Sequence, residues 1–203
     1  IGGTNTLTNN TVVGNASRIG GGIATADGTN TLTNNMVAGN LSTRGGGIYT
    51  IDGANTLTNN TVAENRSFVS GGGIEVIRGT NTLANNTVEG NWASPNGNGG
   101  GIVVVNGTST LANNTVKGNS ATQGGGIYIG SATVTLANNT VEGNSASQGG
   151  GIYTSSGSTT LTNTLTNNTL SGNSANDGGG IYTISGSNTL TNNIFWDNKK
   201  GTA

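Results

Sequence analysis

Hydrophobic positions in this chain are few, short and evenly spaced. A Leu preceded by Thr recurs at Leu7, Leu32, Leu57, Leu83, Leu111, Leu136, Leu165 and Leu190, at intervals of 25, 25, 26, 28, 25, 29 and 25 residues. Five residues after each Leu comes a second apolar position: Val12, Val37, Val62, Val88, Val116, Val141, Leu170 and Phe195. A third follows a Gly triplet, at Ile23, Ile48, Ile74, Ile102, Ile127, Ile152 and Ile181. Around these centres apolar and polar residues alternate with period two, as in Thr31-Leu32-Thr33 and Ile48-Tyr49-Thr50, which predicts brief half-buried strands. Gly, Asn and Thr are weak helix formers and no apolar stripe of period 3.6 is present, so helix is disfavoured.

One unit used eight times predicts an all-β, single-stranded parallel β-helix (β-solenoid) of about eight coils, each with three short strands. The whole chain, 1–203, reads as one solenoid domain with its coils centred on the eight Leu residues. Parallel strands stacked about 4.8 Å apart would place identical residues above one another in ladders. The polar pattern supports this. An Asn pair follows every Leu, and a further Asn stands eight residues after it, at Asn15, Asn40, Asn65, Asn91, Asn119, Asn144, Asn173 and Asn198. An amide donates and accepts, so this last Asn is expected to form an inward ladder bonding the coils above and below. The Gly triplets fit a sharp corner. Additional residues near Arg66–Ser70 and between Trp92 and Asn98 both precede a Gly triplet, so that corner should face outward and accept loops. A Thr-Leu-Thr-Asn duplication within Thr160–Asn167 implies a local bulge or excursion.

Composition narrows the chemistry. The chain has 38 Gly, no Cys, no His and a formal charge of -1. Such a balance offers no electrostatic footprint for nucleic acid or anionic lipid, and no apolar run is long enough for membrane insertion. Without His or Cys the commonest general base and thiolate ligands are missing, and no Gly-Gly-x-Gly-x-Asp calcium repeat occurs. The expectation is a non-enzyme with no catalytic residues, metal or cofactor. Asp27, Asp52 and Arg78 fall in one column and Glu89, Lys117 and Glu142 in another, and both read as surface ion pairs.

Two arrays could bind something. Tyr49, Tyr128, Tyr153 and Tyr182 share one column beside the Ile residues, interrupted by Glu75 and Val103, and a Tyr row could stack on sugar rings. Thr-x-Thr pairs at Thr6 and Thr8, Thr31 and Thr33, Thr56 and Thr58, Thr164 and Thr166, and Thr189 and Thr191 would form an array similar to the ice-binding faces of antifreeze solenoids. Ala84, Ala112 and Ala137 break that array in mid-rod. Among several Asn-x-Thr/Ser sequons, Asn106 beside a turn Gly is the one expected to be exposed.

These repeats resemble those of bacterial and archaeal surface proteins of the pectin-lyase-like, right-handed β-helix type. The Gly-Gly-Gly-Ile and Val-x-x-Asn units are similar to the repeats of chlamydial polymorphic outer-membrane proteins, and Phe195-Trp196-Asp197-Asn198 matches the second motif. Gly-Gly-Gly-Ile-Tyr and Leu-Thr-Asn-Asn-Thr are also similar to repeats of large secreted proteins of environmental microbes. The resemblance implies right-handed winding, an extracellular or cell-surface location, and structural or adhesive work. The chain begins and ends within coils, so the expected partners are further copies stacked end to end, flanking domains of a larger surface protein, or surface glycans.

Overall fold

The computed structural model describes residues 3–155 and 162–201. Within them the chain winds through four parallel sheets running the length of the rod. The coil around Leu111 shows the plan. Thr108–Ala112 lies in an eight-stranded Leu sheet, Thr115–Lys117 in an eight-stranded Val sheet, Ser120–Gln123 in a seven-stranded small-residue sheet, and Ile127–Gly130 in a seven-stranded Ile sheet. Each strand pairs with its counterpart one coil away, so Leu111 meets Leu83 and Leu136, and Val116 meets Val88 and Val141.

Each of the six inner coils thus has four strands rather than the three expected from the apolar pattern. The additional strand follows the ladder Asn, and its inward residues include Ser42, Ser67, Ala93, Ala121 and Ala175, which are buried, and Ala146, which is half-buried. The middle Gly of each triplet lies against the start of this strand, so that a Cβ on Gly72 would come 2.6 Å from the Trp92 carbonyl carbon. A search for large apolar centres passes over such a strand.

The corners explain the remaining pattern. Asn113, the first of its pair, turns in the left-handed region at φ 56, which Asn tolerates better than most residues. Its partner Asn114 is then carried inward and buried. The next corner repeats the device, with Gly118 at φ 61 ahead of buried Asn119. At the Gly triplet each residue has its own reason. Gly124 turns at φ 64, a Cβ on Gly125 would lie 2.3 Å from the Ser145 carbonyl oxygen of the next coil, and one on Gly126 would press 2.6 Å from the Gly151 carbonyl oxygen.

The core is a continuous column of Leu, Val and Ile lined by amides. Asn119 represents the ladder predicted from the sequence. Its Oδ1 accepts from the Asn91 backbone N–H at 2.9 Å and from Asn91 Nδ2 at 3.0 Å, while its Nδ2 donates to Asn144 Oδ1 at 3.0 Å and to the Val88 carbonyl at 3.0 Å. Every hydrogen-bonding site of the amide is used, as burial demands. The same pattern runs from Asn15 through Asn198.

A second full ladder, unassigned by the sequence reading, is made by the second Asn of each pair, from Asn10 through Asn193. A third begins as Asn5, Asn30, Asn55 and Asn81, passes to Ser109, is interrupted by Val134, and resumes at Asn163 and Asn188.

The inserted residues fall at the corner ahead of the Gly triplet. Register shifts between Ser67 and Ser70, leaving Phe68 and Val69 exposed, and Pro95–Asn96 forms a turn. The duplicated segment lies outside the described residues up to Leu161; from Thr162 the Leu sheet continues in register.

Candidate functional site

The tyrosines occupy one column as read from the sequence: Ala24, Tyr49, Glu75, Val103, Tyr128, Tyr153 and Tyr182 are successive partners in the Ile sheet. They do not form an open platform. Tyr49 is 7% and Tyr153 2% exposed, and Tyr128 and Tyr182 are half-buried. The column lies in the concave angle between the Ile and small-residue sheets, where the first Gly of each triplet sits against it; a Cβ on Gly149 would lie 2.8 Å from Tyr153 Cβ.

The rings of Tyr128 and Tyr153 stack at 5.2 Å, and those of Tyr153 and Tyr182 at 5.8 Å. Their facing π surfaces are therefore taken up by one another rather than offered to a sugar. Burial pushes the Tyr128 and Tyr153 hydroxyls above their ordinary value of 10.0. Tyr49 is raised too, first by burial and then by the charge of Glu75.

Glu75 is the one charged group this column holds. It is fully buried, and its Oε1 accepts from Arg44 Nη2 at 2.7 Å, from Arg44 Nε at 3.2 Å and from Ser70 Oγ at 2.7 Å. Its Oε2 has no partner. Arg44 and Ser70 come from the ends of small-residue strands, a sheet the apolar pattern had not revealed.

The two charge columns form surface ion pairs. Arg78 binds Asp52 through two bonds of 2.7 and 2.6 Å, which hold the Asp52 carboxyl below its usual range. Lys117 lies 2.9 Å from Glu89, with Glu142 paired beyond it in the same register, and the Glu89 hydrogen bond raises the Lys117 ammonium. Beside this column is a corner that sequence reasoning missed. Arg66 stands 5.9 Å over the Trp92 ring, near Glu64, across a shallow depression floored by Gly90. Among the described residues no cluster of three His, Cys, Asp or Glu could hold a metal, and no helix is long and apolar enough to cross a membrane.

A third face is the outside of the Leu sheet. Register places Thr6, Thr31, Thr56, Thr82, Thr110, Thr135, Thr164 and Thr189 in one uninterrupted column. Thr8, Thr33, Thr58, Thr166 and Thr191 stand in the column on its C-terminal side, with Ala84, Ala112 and Ala137 between them. On the other side runs a column the sequence reading omitted: Thr4, Thr29, Ala54, Thr80, Thr108 and Thr133. Of the sequons, Asn40 and Asn65 are buried in the ladder, whereas Asn106 is exposed.

With this geometry established, the family model described as the right-handed beta helix region matches the chain over residues 1–116 and 47–203. The chain belongs to the right-handed β-helix family. The handedness of the coil follows from that membership. Comparison with curated proteins and with solved structures gave no match. For a β-helix of this family, function rests on what the faces carry, since the fold serves enzymes and structural proteins alike.

Proposed function

We propose that this β-helix is a non-catalytic structural rod of an extracellular or cell-surface protein, with coils that continue end to end into flanking coils or a further copy. The observation that carries the reading is the polarity of the Asn ladders. Each Oδ1 accepts from the preceding coil and each Nδ2 donates to the following one, so a coil is complete only between two neighbours. One end of a ladder presents amide acceptors and the other amide and backbone donors, a complementary pair whichever chain supplies the next coil. Rigidity along the axis follows from two full ladders, a third broken at Val134, and a continuous apolar column. Asp52 with Arg78 and Glu89 with Lys117 are ion-paired across coils on an exposed face, which supports a non-catalytic role.

Electron microscopy and sedimentation of the purified chain across a concentration series test this reading. Rods that lengthen with concentration are expected. Dispersed particles of constant size at high concentration would remove the end-to-end element, and depolymerisation of pectin, alginate or a related polymer would overturn the non-catalytic one.

A further inference from the structure

We propose that the outward face of the Leu sheet is a binding surface for ice, presented as a Thr-x-Thr array that runs through every coil. Read from the sequence, the array breaks at Ala84, Ala112 and Ala137. The strand register repairs it. In those three coils the pair moves two residues toward the N-terminus, to Thr80 and Thr82, Thr108 and Thr110, and Thr133 and Thr135, around the unbroken central column. Neighbouring hydroxyls are then about 6.7 Å apart along a strand and about 4.8 Å apart between coils.

Three further observations point to an ordered, uncharged lattice of water as the occupant. First, the face is chemically uniform: its outward positions are Thr except for Ala54, Ala84, Ala112, Ala137 and Ser187, and none of its strands carries a charged or aromatic residue. Protein interfaces depend on buried aromatic and Arg anchors, and sugar sites on rings and fixed polar groups; this face has neither. Second, no Thr hydroxyl of the central column is bonded within the described protein, so each keeps a donor and an acceptor free beside a methyl group. Third, the face is regular. Its strands pair without a register shift, whereas the Ile and small-residue sheets each contain one. Behind it lie fully buried Leu83, Leu111 and Leu136. Side-chain ladders of this kind oppose the usual sheet twist and favour a flat surface.

A preformed grid loses little freedom when water orders on it, and many weak contacts made together hold a crystal surface that no single one would. Mixed charge, insertions and loops are carried by the other sheets and corners.

The test is partition of fluorescently labelled full chain into a growing ice front, together with thermal hysteresis, for the wild type, T110Y, T56Y and S145Y. Ser145 is exposed on the small-residue sheet and controls for added bulk. Melting curves identify any variant that does not fold; the two sites on the central column keep the test open if one fails. The expected result is ice incorporation by wild type and S145Y and at least fivefold less by T110Y and T56Y. No incorporation by the wild type, or equal incorporation by all four, would overturn the proposal. So would preferential binding to crystalline cellulose, or dimerisation through this face that T110Y abolishes. Rod length is read independently, so failure here leaves the structural reading untouched.

Discussion

Two asparagines six residues apart show how one residue type does unlike work. Asn113 is an exposed turn residue chosen for its tolerance of positive φ, and Asn119 is a buried amide chosen for its four hydrogen bonds. Truncating them should cost unlike amounts. Asn113→Ala forces an alanine into the left-handed region, worth about 1 kcal/mol. Asn119→Ala leaves the Asn91 backbone N–H and side-chain amide without an acceptor and robs Asn144 of a donor, in a core closed to water; each orphan costs about 1–3 kcal/mol, so a loss of about 3 kcal/mol or more is expected. Chemical denaturation of the two variants checks the difference, and equal losses would show that the ladder amides are not satisfied as described.

At the scale of the strand, the Ile sheet stands apart because both of its faces are covered. The inward Ile residues are in the core, and in the outward column Tyr49, Glu75, Val103 and Tyr153 are buried against the angle with the small-residue sheet. This enclosure governs its response to pH. Folding raises the Tyr49, Tyr128 and Tyr153 hydroxyls above 10.0, so the folded state holds their protons longer than the unfolded chain does. Their contribution is fully present below pH 10.0 and is lost as pH rises through the folded values. Stability should therefore be insensitive to these groups near neutrality and fall in alkali. Denaturant midpoints measured with spectrophotometric tyrosine titration check this; tyrosines that ionise at their ordinary value while the fold persists would contradict the enclosure. Glu75 of the same column and Arg44 of the small-residue sheet make a pair with one fully buried partner, a type more costly to break than valuable to possess.

For the molecule as a whole, the decisive property is that the corner ahead of the Gly triplet accepts additional residues while the described Leu and Val strands pair without a register shift. The turn at Pro95–Asn96 already accommodates residues that other coils lack. Inserting Gly-Ser-Gly between Pro95 and Asn96 lengthens a loop, at a cost of about 1 kcal/mol or less. The same insertion between Thr110 and Leu111 would displace a column shared with Leu83 and Leu136 and turn apolar residues outward, and should prevent cooperative folding. Circular dichroism melting of both variants decides the matter. Equal tolerance would mean that the ladders are less tightly coupled than their hydrogen bonds indicate.

The repeat by itself determined the stack: Leu, Val and Ile at fixed intervals left only a parallel coil as a way to bury them, and the Asn at the eighth position was legible as a ladder because it recurred in every copy. The invariant Asn pair carried a further signal, a turn residue followed by a ladder residue, which was open to the same reasoning. Other features were decided only in three dimensions. The fourth strand is lined by Ser and Ala and has no hydrophobic signature; coil-to-coil pairing and the Gly triplet packed against its start hold it in place. The tyrosine column points away from the core yet is covered, because two sheets meet at a concave angle that linear order does not encode. The Thr face is continuous because register, not spacing from the nearest Leu, determines which hydroxyls become neighbours. Local alternation specifies which way a side chain leaves its strand; what it then meets depends on where the coil places the next wall.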